Sequence, residues 1–331
     1  MSRCELSGYV VEYRLQELSF WLKAHDSVSR GQRQPHKISH TYLQDCRAHI
    51  DDFSTMTDHP ATEEDLAFTV HNPSGTTTII LLHALFSSPL EYAHVYPALP
   101  SSYRILIPHL PQHSLSLPQH QPFSFNLCTT LLSRLITTRI PSKTAHLAGV
   151  DLGGFIALEL LRSHPDLVES VVITGCYPYT PWQSYLASWP SLMSWGLYLT
   201  IQSGLYRAAA ATSGLPPHRP LVAELLKNNT YDLSKRAYDA MRTWQAEETR
   251  DVAMKDKRVL VCASGMGDDV DATRGFAEVL KGLAEGEGKE TRAVVVRDAI
   301  HGWNLQFSKL FAETLVAWIE KNPLPERLEA L

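Results

Sequence analysis

The sequence predicts an α/β protein: a mostly parallel sheet with helices on both faces and a helical insertion. Three observations predict it. Short stretches with the pattern of buried strands recur at Thr76–Leu82, Val171–Gly175 and Arg258–Ala263, as expected of strands covered on both faces. Helical patterns alternate with these runs, the order that builds a parallel sheet. From about Tyr177 to Lys257 the alternation stops, and the chain becomes rich in Trp, Tyr, Leu and Pro with no strand pattern. At 331 residues the chain fits one large domain with an insertion, or two smaller ones.

Residues 1–60 read as an N-terminal extension of mixed signal. Tyr9, Val11, Tyr13 and Leu15 alternate as a strand does, yet Leu15, Leu18 and Leu22 fit a helix face. Leu43, Cys46, Ile50 and Phe53 follow helical spacing behind Ser39, a plausible N-cap. His36 and His40 lie four apart, but no third ligand accompanies them, so they read as solvated side chains. The core is expected over 61–176 and 258–331, with the insertion, a cap or lid, over 177–257. Leu66–Val70 is the first expected core strand, and His71–Gly75 (H-N-P-S-G) is a turn. Thr76–Leu82 follows and runs into H-A-L-F-S-S-P-L-E-Y. Arg104–Ile107 is the next strand, leading into P-H-L-P-Q-H-S-L-S. A helix around Phe125–Ile136 precedes a strand that ends near Gly149. Arg258–Ala263 restores the buried-strand pattern and runs into S-G-M-G-D-D-V-D. Thr291–Val296 is the last strand, followed by R-D-A-I-H-G-W-N, and Phe307–Ile319 is a closing amphipathic helix.

Composition narrows the function classes. The net charge is −5 with no basic run, which gives no footprint for nucleic acid or an anionic membrane. The five cysteines are scattered without C-x-x-C spacing and read as buried free thiols of a reducing compartment. The N-terminus lacks a secretory apolar core, so a cytoplasmic protein is expected. Pro190, Gly196 and Gln202 interrupt the aromatic stretch Leu186–Tyr206 and argue against a membrane span. No dinucleotide fingerprint, phosphate loop or metal cluster is present in the sequence, so no cofactor and no metal are implied. A homodimer is left open.

The densest signal is Thr144–Leu161, T-A-H-L-A-G-V-D-L-G-G-F-I-A-L-E-L-L. An apolar strand turns straight into a helix carrying Phe155, Leu158 and Leu161 on one face. Gly149, Gly153 and Gly154 permit the close backbone approach that such a turn needs. Asp151 stands at its apex, beside a helix N-terminus that favours a carboxylate or an oxyanion.

G-V-D-L-G-G resembles the nucleophile elbow of the α/β-hydrolase superfamily, G-x-S-x-G, with Asp151 in the serine's place. The resemblance spans roughly Leu66–Ile319. It implies the α/β-hydrolase fold and the order nucleophile, acid, histidine, carried by Asp151, Asp268 or Asp269, and His301. Asp268 is preferred because G-M-G-D matches the family turn. The family's H-G-x-P loop corresponds to His83-Ala84-Leu85-Phe86, and the oxyanion donors by analogy are the N–H groups of Leu152 and of Leu85 or Phe86. P-H-L-P-Q-H-S-L-S looks like a worn D-L-P-G-H-G-x-S, with Gln112 and Ser114 where glycines are usual.

An aspartate is ionised at neutral pH and can attack an sp³ carbon without a base. The resemblance therefore implies the Asp-bearing branch, epoxide hydrolases and dehalogenases, with His301 activating water and Asp268 orienting it. The Trp or Arg that dehalogenases place after the nucleophile is Leu152 here, which disfavours dehalogenation. Epoxide hydrolases use two cap tyrosines, for which Tyr177, Tyr179, Tyr185, Tyr198, Tyr206, Tyr231 and Tyr238 are the candidates. Trp182, Trp189, Trp195 and Trp244 suggest a broad apolar pocket for a hydrophobic substrate, with Tyr179 and Trp182 as lining residues. Two other readings stand beside this one. Asp151 and His301 could form a proton-transfer pair for elimination, cyclisation or C–C cleavage in a natural-product pathway. The scaffold could also be a non-catalytic small-molecule receptor.

Overall fold

The computed structural model describes residues 57–59, 65–116, 121–203, 212, 214–215, 218–282 and 290–331. The patterns noted between Tyr9 and Phe53, including His36 and His40, lie outside these residues, as do Cys4, Cys46 and Tyr206.

Nine strands form one sheet in the described residues: β1 (Thr57–His59), β2 (Phe68–His71), β3 (Thr77–Leu82), β4 (Tyr103–Pro108), β5 (Ala145–Val150), β6 (Val168–Thr174), β7 (Arg258–Ser264), β8 (Glu290–Val296) and β9 (Glu329–Ala330). Their order is β1-β2-β4-β3-β5-β6-β7-β8-β9. The six strands from β4 to β8 pair in parallel, while β1, β2 and β9 add antiparallel edges. The apolar runs read from sequence are these parallel strands, with ends that differ by one residue at most except at the start of β6.

Alternation along the strands divides the core. Ile80, Leu82, Leu147, Val171, Ile173, Val259 and Val261 face one layer. Ile79, Leu81, Ala148, Val150, Val172, Leu260 and Cys262 face the other, as a period of two requires. The first layer is covered by α1 (Phe125–Arg139), α2 (Leu152–Ser163) and α8 (Val270–Lys281). The second is covered by α10 (Ser308–Ile319), which lays Phe311, Leu315 and Trp318 on the sheet. Local signals set the helix starts. Ser124 accepts from Leu127 N–H (3.1 Å) and Asp269 from Ala272 N–H (2.9 Å), each satisfying an otherwise unpaired donor.

Between β6 and β7 lie α3 (Pro181–Ala187), α4 (Pro190–Gln202), α5 (Arg219–Asn228), α6 (Tyr231–Thr243) and α7 (Ala246–Ala253). The short helix α9 (Trp303–Gln306) precedes α10. The topology has one point that matters for function. From β3 the chain moves to β4 on one side, then returns to place β5 on the other. The crevice beyond the carboxyl ends of β3 and β5 is such a sheet's usual ligand site. Leu82 and Gly149 are register partners there, so the segments beginning at His83 and Asp151 emerge side by side.

Candidate active site

Asp151 occupies a backbone conformation that β-substituted residues rarely adopt, φ 50° and ψ −117°, between the last residue of β5 and the first of α2. Such a position costs about 1–3 kcal/mol. Burial of a single leucine side chain contributes about 1.5–3 kcal/mol, and α2 buries Leu158, Leu160 and Leu161 completely. The helix packing therefore holds the strained apex with ease. The approach is as close as backbones allow: a Cβ on Gly153 would stand 2.1 Å from the carbonyl oxygen of Leu82. Leu152 opens α2, so its N–H has no acceptor within the helix.

His301 follows β8, and its Nδ1 lies 2.6 Å from Asp268 Oδ1. The Asp268 side chain is 1% exposed, and its other oxygen accepts from Ser264 N–H at 2.7 Å. Asp269 instead caps α8, so of the two aspartates it is Asp268 that meets the imidazole. Desolvation works against a charge on His301. The hydrogen bond to Asp268 and the negative charges of Asp151, Asp268 and Glu91 outweigh it and raise the pKa to about 9. Asp151 and His301 thus act on one another electrostatically across the crevice.

This shift carries a stability consequence with a definite sign. A histidine whose folded pKa lies above its unfolded value, near 6.5, stabilises the fold fully below that value. The contribution is lost as pH rises through about 9. The denaturation midpoint of the wild type, measured against His301→Gln from pH 6 to 9.5, should therefore fall relative to the variant across that window. Parallel midpoints would contradict the shift.

The loop after β3 is fixed from four directions. Ala84 N–H donates to Glu91 Oε2 (2.9 Å), Leu85 N–H to Asp151 Oδ2 (3.1 Å) and Phe86 N–H to His113 Nε2 (3.1 Å). Ser87 N–H returns to the carbonyl of Ala84. Of the two loop donors expected from sequence, Leu85 faces the site and Phe86 does not. Phe86 stands at φ 63° and spends its N–H on an imidazole behind the loop. His83 is also turned inward. Fully buried, it accepts from Leu110 N–H at Nε2 (3.2 Å), so its proton sits on Nδ1, 2.9 Å from the Ala84 carbonyl. It is therefore a strut of the loop rather than a substrate contact. Burial pushes the pKa of His83 well below the ordinary value and that of His113 down to about 4, so both imidazoles stay neutral acceptors at physiological pH.

Glu91 was invisible as a site residue in the sequence. It is buried, and it joins the loop after β3 to the segment after His301 by accepting from Asn304 Nδ2 at 2.8 Å. Burial raises its pKa, opposed by hydrogen bonds from Ser87, Ala84 and Asn304.

Gln112 and Ser114, which replace the usual glycines, keep the glycine conformation at φ 62° and 47°. Their side chains bind the inserted helices instead. Gln112 Nε2 donates to Asp232 Oδ2 (3.0 Å), and Ser114 Oγ donates to Glu224.

The aromatic expectations divide. Trp182 is 65% exposed and stacks on Tyr185 at the outer surface, with Trp189 and Trp195 exposed as well. Trp182 is therefore not a pocket residue. Trp244 is buried, but it packs edge-on to Phe125 and Phe155 as core. Among the candidate tyrosines, Tyr177 accepts from Asp269 N–H and Gln183, and Tyr185, Tyr198 and Tyr231 are exposed. Tyr179 and Tyr238 remain. Both have pKa values raised by burial first and then by the charge of Asp151. Tyr179 is otherwise held by an edge contact with Phe155 and by Met241 Sδ. Sequence periodicity could not have singled out Tyr238, because many tyrosines share the insertion.

Among the described residues no three His, Cys, Asp or Glu side chains converge as a metal site. None of the described helices is long and apolar enough to cross a membrane. Cys128, Cys176 and Cys262 are buried and unpaired.

Residues 77–250 match a family described as alpha/beta hydrolase fold. An AB hydrolase superfamily protein of Gibberella zeae is 28% identical over 271 residues, covering 82% of this chain and 89% of the relative. A pimeloyl-[acyl-carrier protein] methyl ester esterase of Aromatoleum aromaticum is 32% identical over 115 residues, 34% of this chain and 43% of the esterase. An alpha/beta hydrolase enzyme from a Medee basin deep-sea metagenome library superposes with a TM-score of 0.63 at 13% identity, over 81% of this chain and 99% of that enzyme.

Proposed function

The chain belongs to the alpha/beta hydrolase family, and from that premise we propose that it hydrolyses a hydrophobic epoxide through a covalent ester on Asp151. The observation that carries the reading is the single bond from Leu85 N–H to Asp151 Oδ2. It engages one carboxylate oxygen and leaves Oδ1 to attack. Oδ1 forms a bond to an epoxide carbon, the carbon–oxygen bond of the ring breaks, and the ring oxygen takes a proton from Tyr179 or Tyr238. Oδ2 becomes the ester carbonyl, already beside Leu85 N–H, with the Leu152 N–H unspent by the helix it opens. These two donors are then placed for the oxyanion that forms when water attacks that carbonyl.

The electrostatics support two separate steps. His301, at a pKa of about 9, is protonated in the resting site and cannot act as a base. Esterification removes the charge of Asp151, one of the charges that hold the proton on His301. The imidazole sheds its proton to solvent, takes one from the attacking water and passes it to the leaving alkoxide, and regains its own from solvent once the charge of Asp151 returns. The regenerated carboxylic acid returns its proton to the phenolate, so the net reaction is epoxide plus water to diol.

Heavy-oxygen water tests the reading in a single turnover of excess protein with an aryl epoxide such as styrene oxide. The first diol should be unlabelled, and the peptide carrying Asp151 should gain one heavy oxygen. Label in the diol with none on the protein would overturn covalent catalysis.

A second reading is favoured by one observation. Phe86 spends its N–H on His113, so the loop keeps a single donor, Leu85, at the site. A family member that has left acyl chemistry could use Asp151 and His301 for proton transfer in an elimination or cyclisation. In the same experiment that protein would leave both product and peptide unlabelled.

A further inference from the structure

Asn228 is fully buried at the carboxyl end of α5, between the loop after β3 and the loop after β4. Its Nδ2 group donates to the carbonyl of Phe86 (3.0 Å), the carbonyl of Ser87 (2.9 Å) and Ser114 Oγ (3.2 Å). Its Oδ1 accepts from Ser114 N–H at 2.8 Å. One side chain of an inserted helix therefore satisfies backbone groups in both loops. The same helix adds Glu224 to Ser114, and α6 adds Asp232 to Gln112.

The carbonyls that Asn228 holds belong to the peptide units just beyond Leu85. Phe86 stands at φ 63°, its N–H drawn to His113 and its carbonyl to Asn228. With both ends pinned, the Leu85 N–H is left aimed at Asp151. We propose that Asn228 is a positioning residue through which the inserted helices set the conformation of the His83–Ser87 loop, and with it the donor on Asp151. Gln112 and Ser114 are parts of the same latch. They retain a glycine-type backbone while supplying side chains that glycines lack, which accounts for the departure from the family pattern at both positions. Movement of α5 away from the sheet would release the Leu85 donor, so the inserted helices and the His83–Ser87 loop act as one unit.

The proposal does not rest on the covalent mechanism, and its test needs no substrate. Amide hydrogen exchange followed by mass spectrometry compares residues 84–88 with the core strand 145–150 in wild type and Asn228→Ala. At least tenfold faster exchange of 84–88, with 145–150 unchanged, is expected. The His113 Nε2 nitrogen signal should shift in the same variant as the Phe86 donor is lost. Ser114→Ala, which keeps every backbone bond, should give the same pattern at about threefold if Asn228→Ala does not fold. Wild-type protection of 84–88 in whichever variant folds would overturn the proposal, as would uniform acceleration of all strands, which marks a merely structural role.

Discussion

Exposed to excess aryl epoxide, His301→Gln should gain the mass of one intact substrate molecule and hold it. The added mass should map to the peptide carrying Asp151. Gln can accept a hydrogen bond from water but cannot remove its proton, so ester formation proceeds while hydrolysis stops. Loss of a positioned base costs about 10²–10⁴-fold, and steady-state turnover should fall in that range while the first, ester-forming event persists. Asp151→Asn should show neither adduct nor turnover. The native site predicts a pH signature as well. His301 should titrate near 9 in the free protein, whereas the acid limb of kcat, set by the ester in which Asp151 is uncharged, should lie lower. An acid limb of kcat at 9 would mean that the charge of Asp151 survives the first step. A variant that turns over normally without trapping would remove His301 from the mechanism.

Much of this arrangement was legible in the residues because it depends on local patterns. Apolar runs of strand length located the parallel strands, and G-V-D-L-G-G located the apex, since a strand–helix turn this tight demands small residues beside Asp151. His301 followed from its place after the last long strand. What escaped depends on juxtaposition across the fold. Glu91, Asn304 and Asn228 carry no local signal, and the worn motif around His113 did not reveal what its imidazole holds, yet these side chains fix the loops that hold the site. The insertion's aromatic richness was real but said nothing of direction. Trp182 faces outward and Trp244 supports the core, and Tyr179 and Tyr238 are set apart by their burial and by the charge of Asp151 acting on their phenols, neither of which a local pattern marks.

Gly175→Ala should abolish most activity while leaving the protein folded. Gly175 follows β6 at φ 61°, and a Cβ there would stand 2.5 Å from His301 Cε1 and 2.9 Å from its Nδ1. Two penalties combine. The backbone conformation disfavours a side chain by about 1–3 kcal/mol, and the new methyl occupies the space of the imidazole. The strand before Gly175 is pinned on both sides by parallel neighbours, so it cannot yield. His301, whose side chain is 47% exposed, can. The ring should swing outward, lose its bond to Asp268 and separate from Asp151. A displacement of about 1 Å at a reacting group can cost about 10²-fold, and turnover should fall by at least that factor. The His301 titration should move from about 9 toward the ordinary histidine range as its carboxylate partners recede. Gly196→Ala on α4, where a Cβ meets nothing within 4 Å, is the matched control and should leave turnover unchanged. Wild-type turnover and an unmoved titration in Gly175→Ala would mean that the imidazole can do its work from another place, and that the crevice beyond β3 and β5 is not where the chemistry happens.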